Sequence, residues 1–323
     1  MKAMVCAALG GPLSPSDLPS PALPPLGVRI RVAAAGVNFA DGLLIAGKYQ
    51  EKLEPPFAPG MELAGTVTEV APGVTTCKPG DRVMAVVTGG AWAEEAVAAE
   101  TDVFVLPDAV DFVTAAAFPV AWGTSHHALK HKARLAAGET LVVHGAAGGV
   151  GLTAVAVGRA LGATVIATAG GPDKVKVALD HGAHHGIDYR AEDIRGRVKE
   201  LTGGRGADVV YDPVGGEVFE ASLRSIAPDG RILAIGFASG TVPQIPANIL
   251  LVKNATVIGY WWGAYRKLDP ASLRASMAEL LSWLAEGRIR QLVSATLPLA
   301  EAAKALAMLK DRSATGKVVL TVG

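Results

Sequence analysis

The segment Gly145-Ala146-Ala147-Gly148-Gly149-Val150-Gly151 carries the residue types and spacing with the clearest chemical meaning in this chain. Side chains are nearly missing there, so the backbone can come close to a ligand, and free N–H groups with a helix dipole behind them can meet a pyrophosphate. The elements that must position it flank it directly. Leu141-Val142-Val143-His144 reads as a buried strand, and residues 152–161 read as an apolar helical run. Ala146 stands where the common fingerprint has its first glycine, so the match is A-x-G-x-x-G, and the strand–turn–helix context raises it above a bland tight turn. Ala147, Gly148, Gly149 and Val150 are the candidate cofactor contacts. A side chain at Gly148 or Gly151 is expected to obstruct ligand approach or the packing of helix on sheet.

In NAD sites an acidic side chain roughly 20 residues past such a turn accepts both ribose hydroxyls. Here residues 164–168 form a β-branched run that leads into Ala169-Gly170-Gly171-Pro172-Asp173-Lys174. The expected carboxylate is absent, a 2′-phosphate meets no repulsion, and Lys174 offers it a charge-assisted partner. NADPH is therefore the expected cofactor. The plainer alternative is that Lys174 only solvates a helix start.

With 323 residues the chain exceeds the size at which one hydrophobic core stops growing, so two cores are expected. Its 30 basic and 30 acidic residues cancel, which implies no bulk attraction to nucleic acid or anionic membrane. Cys6 and Cys77 are too few for a disulfide framework, lack metal-ligand spacing and suit a reducing compartment. The most apolar region, 141–170, is broken by His144, Arg159 and glycines and resolves into strand, helix and strand, not a membrane span. Residues 1–10 read as a first strand, not a signal peptide, so a cytoplasmic protein is expected.

Short alternating segments, 28–32, 65–70 and 81–87, look like half-buried antiparallel strands of a small barrel. From about residue 122 helical runs alternate with β-branched runs at 141–144, 164–168, 185–188, 208–212, 231–235 and 255–260, which gives six strands of a doubly wound parallel sheet. Helices near 270–286 and 299–309 and a closing strand at 317–322 have no place in that sheet. They are assigned to the first domain, giving a catalytic domain of 1–121 with 263–323 and a nucleotide-binding domain of 122–262.

One ordered set of segments extends the reading to a family: Gly36-Val37-Asn38-Phe39-Ala40-Asp41, Gly47-Lys48-Tyr49, Pro59-Gly60-Met61-Glu62-Leu63-Ala64-Gly65-Thr66-Val67, the turn His144 to Gly151, Ile187-Asp188-Tyr189-Arg190 and Ala314-Thr315-Gly316-Lys317-Val318-Val319-Leu320. Together they resemble the zinc-independent quinone oxidoreductase, or zeta-crystallin-like, branch of the medium-chain dehydrogenase/reductases. The resemblance implies an α/β fold with a GroES-like β-barrel catalytic domain and a doubly wound Rossmann domain. It also implies Asn38, Asp41 and Tyr49 near the nicotinamide and substrate, with Tyr49 the best candidate for oxyanion donor or proton source. Thr124 is implied near the nicotinamide ring, Lys174 and Tyr189 around the 2′-phosphate, Phe237 beside the cofactor and Lys317 near the phosphates. Each has a plainer alternative: a packing tyrosine at 49, loop hydrogen bonding by Asn38, a structural turn residue at Asp41.

Zinc-binding relatives of this family hold their metal with cysteines and a histidine, whereas this chain offers Val37-Asn38-Phe39, Met61 before Glu62, and Val120-Ala121-Trp122 in the corresponding regions. The groups His126-His127 with His131, and His181 with His184-His185, lack carboxylate or cysteine partners at ligand spacing, so no metal is expected. Without a Lewis acid, activated acceptors become the natural substrates, because a quinone or carbonyl-conjugated alkene delocalises incoming charge onto oxygen. The alternatives are a 2-enoyl thioester reductase and an NADPH-binding structural or RNA-binding protein; the neutral charge argues against nucleic acid as main partner. Leu43, where relatives carry a tyrosine, bears on substrate preference. Residues 255–262 read as an apolar edge strand with two adjacent tryptophans, which predicts a homodimer joined through that edge.

Overall fold

Alternation of buried and exposed residues along Gly27–Val37 sets up the first of two units: Val28, Ile30 and Val32 are buried while Arg31 is exposed. The computed structural model describes all 323 residues, and this unit comprises Met1–Ala121, Pro270–Ala285 and Arg290–Gly323. The strand Gly27–Val37 pairs antiparallel with Glu62–Val70 on one edge. Its other edge is shared by Glu95–Ala99 and by Lys317–Thr321, also antiparallel. Register shifts at Arg29/Ile30 and Val32/Ala34 bend the long strand so that it serves several partners. Arg82–Val86, Val103–Val105 and Val293–Pro298 complete a seven-stranded sheet, the last running parallel to Lys317–Thr321. Trp92, Ile30, Leu63 and Val83 fill its core at full burial.

The second unit comprises Trp122–Asp269 and Glu286–Ile289. Its sheet has the spatial order His185–Asp188, Thr164–Ala169, Thr140–Val143, Ala207–Asp212, Ile226–Ala234, Thr256–Gly259, every neighbouring pair parallel. In chain order this is 3-2-1-4-5-6, and the order reverses beside Thr140–Val143, where a doubly wound sheet opens its ligand crevice. Ile166, Val142, Val210 and Ile232 stand in register across four strands and are at most 2% exposed. Their near-continuous apolar runs follow from helices covering both faces.

Two expectations change here. The nucleotide unit runs to Asp269, not 262, because Trp262 packs its ring against Gly123 and Tyr265 lies 4.6 Å from the His127 ring, both inside that unit. The sixth strand is shorter than expected, Thr256–Gly259, and of the two tryptophans Trp262 is buried to 7% exposure while Trp261 is half-buried, so Trp262 does not face outward. The strand does lie at the sheet edge, and the exposed apolar residues near it in sequence are Leu251 and Val252, at 77% and 79%. No helix is long and apolar enough to cross a membrane.

Candidate active site

In the nucleotide unit, the turn after Thr140–Val143 begins at Gly145 with φ of +59°, a left-handed conformation that glycine adopts without strain. A Cβ at Gly151 would collide with the Gly145 carbonyl oxygen, so these two glycines interlock. At Gly148 a Cβ would have only that oxygen near it, at 3.4 Å; the missing side chain there opens space that the protein itself does not fill. Gly148 is the N-cap of the helix Gly149–Ala160, and no side chain caps it. The first intrahelical donor is Leu152, to Gly148 O at 2.8 Å, which leaves the Gly149, Val150 and Gly151 amides leading the helix as anion donors.

The turn is held from beneath. His144 is fully buried, with Nδ1 2.9 Å from Thr168 Oγ1 and Nε2 2.7 Å from Ser222 Oγ. Ser222 donates its hydroxyl proton to Val218 O, so Nε2 must be the protonated nitrogen and Nδ1 accepts from Thr168. Burial pushes the His144 pKa down, keeping the ring neutral. Ser125 Oγ reaches Val150 O at 2.9 Å, Thr153 Oγ1 at 2.7 Å and Tyr211 Oη at 3.1 Å, tying the helix Gly149–Ala160 to the sheet.

At the end of Thr164–Ala169 a second glycine is met closely by polar side chains. A Cβ on Gly170 would sit 2.6 Å from Tyr189 Oη and 3.1 Å from Arg190 Nε, so phenol and guanidinium converge on that glycine. The convergence is enforced by Asp188, whose Oδ1 accepts from Gly171 N at 2.8 Å and Arg190 N at 3.0 Å. These backbone bonds, that to Gly171 foremost, hold the Asp188 carboxyl below the usual range and turn it toward the main chain. Lys174 lies half-buried in the first turn of Pro172–Asp180, three residues past Gly171. Thr124 is buried at 8% exposure and Phe237 is 40% exposed. Sequence reasoning passed over Arg190, although it follows Tyr189 directly.

The expected histidine groups have other partners. His127 Nδ1 is hydrogen-bonded to Tyr260 Oη at 2.8 Å, and its ring lies against His131 and Tyr265. Burial, reinforced by neighbouring cations, pushes its pKa down to about 4. His184 Nδ1 accepts from Val165 N, and His181 Nδ1 faces Val177 O.

In the antiparallel unit a buried charge cluster surrounds Asn38. Lys317 Nζ donates to Val37 O at 3.0 Å, Asn38 Oδ1 at 2.5 Å and Glu62 Oε1 at 2.7 Å. Asn38 Nδ2 donates to the same Glu62 oxygen at 2.8 Å, while Glu62 Oε2 accepts from Val120 N at 2.8 Å in the first turn of Pro119–His126. Glu62 is 0% exposed and Lys317 2%. This corrects the assignment of Lys317 to the phosphates: three acceptors already match its three ammonium protons inside the core. Asp41 is corrected as well. It is 0% exposed, and its Oδ2 accepts from Asn38 N at 2.7 Å, so it fastens the N-cap of the helix Phe39–Ile45 and has no surface for a substrate. Its Oδ1 is buried without a partner, and burial pushes its pKa up to about 7 against the opposing Asn38 amide and Lys317 charge. Tyr49 is half-buried against the hydrophobic core of this unit, and Leu43 is also half-buried.

A GroES-type antiparallel unit joined to a 3-2-1-4-5-6 sheet with a glycine-rich helix start defines a two-domain nucleotide-dependent dehydrogenase or reductase. Family models agree: the alcohol dehydrogenase GroES-like domain matches residues 24–108, and the zinc-binding dehydrogenase model matches residues 149–286. The chain is 44% identical to quinone oxidoreductase-like protein 2 homolog of Nematostella vectensis over 99% of its length and 88% of that protein. It is 41% identical to quinone oxidoreductase of Pseudomonas aeruginosa over 97% of both chains. The crystal structure of Escherichia coli quinone oxidoreductase complexed with NADPH superposes with a TM-score of 0.92 at 33% identity, over the whole of both chains. The chain belongs to the quinone oxidoreductase branch of the medium-chain dehydrogenase/reductase superfamily.

Proposed function

We propose that this protein is an NADPH-dependent reductase that delivers hydride to a quinone or a carbonyl-conjugated alkene without a metal ion. The observation that carries the reading is the pair of anion-ready features in the nucleotide unit: the uncapped helix start at Gly149 and the convergence of Tyr189 and Arg190 on Gly170. The first fits a pyrophosphate and the second a 2′-phosphate, which Arg190 and Lys174 meet with charge-assisted donors. When bound, NADPH supplies the hydride from its nicotinamide ring. The Gly149, Val150 and Gly151 amides hold the pyrophosphate, with Ala147 and Gly148 permitting the approach, while Thr124 is assigned to the nicotinamide ring and Phe237 to the side of the cofactor.

Asn38 and Tyr49 are the assigned polar groups for the acceptor. Charge develops on the acceptor oxygen as hydride adds, and a hydrogen-bond donor at that oxygen lowers the barrier where a Lewis acid is lacking. The reaction balances as NADPH, one proton and quinone going to NADP⁺ and hydroquinone. Both Glu62 oxygens are already engaged within the chain, Oε1 by Asn38 and Lys317 and Oε2 by Val120 N, which disfavours a role as a metal ligand. A steady-state assay with NADPH and a panel of quinones, enones and enoyl thioesters tests the reading; NADPH oxidation with none of them refutes it.

A further inference from the structure

We propose that Glu62 and Lys317 are positioning residues that orient and polarise the Asn38 amide, making its remaining N–H the hydrogen-bond donor to the acceptor oxygen. The inference rests on the reductase reading above and assigns the donor within that same site.

An asparagine amide can ordinarily turn over at small expense, because its oxygen and nitrogen have the same shape. Here it cannot. The group at Oδ1 is an ammonium, which only donates, and the group at Nδ2 is a carboxylate, which only accepts. Turning the amide would set N–H against N–H and oxygen against carboxylate in a site where Glu62 and Lys317 are almost wholly buried. The orientation is therefore fixed by charge, and those charges are fixed in turn. Lys317 is anchored to Val37 O, and Glu62 to Val120 N.

A cation at the amide oxygen and an anion at one amide N–H pull the π electrons of the amide the same way, from nitrogen to oxygen. That strengthens the second N–H as a donor, the cooperative effect expected of a hydrogen-bond chain in a low dielectric. Nδ2 makes one hydrogen bond within the chain, to Glu62. Its other proton is unengaged. Asn38 is also the member of the cluster with the most open surface, 8% against 0% for Asp41 and Glu62 and 2% for Lys317. A fixed, polarised N–H on the least buried member of an otherwise sealed ion cluster has the properties of an oxyanion donor. When hydride adds to a quinone ring or to the β-carbon of an enone, the C=C electron pair moves to the carbonyl oxygen. The proposed N–H meets that oxygen, which then takes its proton from solvent.

The test reads the clamp and the chemistry separately. In the 15N-labelled protein, the two Asn38 side-chain protons should give well-separated resonances and exchange slowly. In the double variant Glu62→Gln/Lys317→Met, which removes both charges together, they should collapse toward an ordinary exposed amide. The same double variant should lose about tenfold in kcat with the favoured quinone, with KM and NADPH affinity within about threefold. Asn38→Ala in the intact pair should lose roughly a hundredfold in kcat, the scale of one oxyanion donor. Retention of wild-type kcat by Asn38→Ala, or by a folded double variant, overturns the proposal. Fast exchange of the Asn38 amide in the unaltered protein does so too. Should the unaltered protein reduce no acceptor, the reductase reading fails, while the exchange measurement still reports whether the clamp exists.

Discussion

Lys317 Nζ and Glu62 Oε1, 255 residues apart in the chain, meet at 2.7 Å with 3% and 0% of their side-chain surfaces exposed. A buried pair of this kind is weak as net stabilisation but severe when halved, because one charge is then left without a partner. Lys317→Met alone should lose about 3–5 kcal/mol in urea unfolding, more than Glu62→Gln/Lys317→Met, which carries no orphaned charge. Equal losses in the single and double variants would mean that packing, not charge, holds this site.

Gly148 and Gly151 should separate ligand binding from folding. A methyl group at Gly151 strikes the Gly145 carbonyl, so Gly151→Ala should lower Tm by several degrees, on the scale of about 1–3 kcal/mol of overpacking. Gly148→Ala meets only a 3.4 Å contact and should leave Tm nearly unchanged while weakening NADPH binding. Calorimetry and fluorescence titration of both variants check the contrast.

Cofactor choice should follow the side chains that meet Gly170. NADPH is expected to bind at least about tenfold tighter than NADH, a gap of roughly 1.4 kcal/mol that one charge-assisted bond supplies. Arg190→Ala and Lys174→Ala should each narrow the gap, and Arg190→Ala should leave NADH affinity unchanged. Equal affinities in the unaltered protein would refute the assignment.

Asp41 gives stability a distinctive pH dependence. Its folded pKa of about 7 lies above the unfolded carboxylate value near 4, so between those limits the folded state holds more protons. This contribution is full below about pH 4 and is lost as pH rises through 7. His127 acts in the opposite sense: its folded pKa of about 4 lies below 6.5, so its contribution is present above 6.5 and lost as pH falls toward 4. Comparing Asp41→Asn with the unaltered protein isolates the first trend. Their Tm difference should shift in favour of the variant from pH 5 to pH 8; a constant difference would show that Asp41 does not titrate there.

The edge strand Thr256–Gly259 should be covered by a second copy of the chain. Val257 and Ile258 are only half-buried there, and Leu251 and Val252 are exposed nearby in sequence, a surface that a twofold mate would bury. Light scattering should report twice the chain mass of 33.0 kDa, and Ile258→Asp should give monomers or insoluble protein. Activity should also survive exhaustive chelation, and one zinc per chain required for turnover would overturn the metal-free reading.

The nucleotide unit was legible because its signals are local. A strand, its glycine turn and its helix lie within residues 140–160, and β-branched runs between helices foreshadow the parallel order. The charge cluster was not legible, since it is assembled across hundreds of residues by antiparallel pairing. Still, a signal existed: Glu62 and Lys317 are opposite charges that each open a strand and are followed directly by apolar residues, Glu62-Leu63-Ala64 and Lys317-Val318-Val319-Leu320. Read separately, Lys317 went to the phosphates and Asp41 to the substrate; read as partners, both belong to the interior. The tryptophans misled for a related reason, because apolar residues in series do not announce which of them turn inward.

The placement of Lys317 in the closing strand has a consequence for biosynthesis. Residues 122–269, all but four residues of the nucleotide unit, leave the ribosome as one uninterrupted stretch, so that unit can assemble while translation continues. The other unit must wait. Glu62 and Asn38 emerge long before the ammonium that neutralises and orients them, and until the strand Lys317–Thr321 arrives their interior is an unbalanced carboxylate facing an open sheet edge. The last strand made is thus the one that licenses the Asn38 amide, and a ribosome stalled before it would hold a nucleotide-binding protein with no ordered donor.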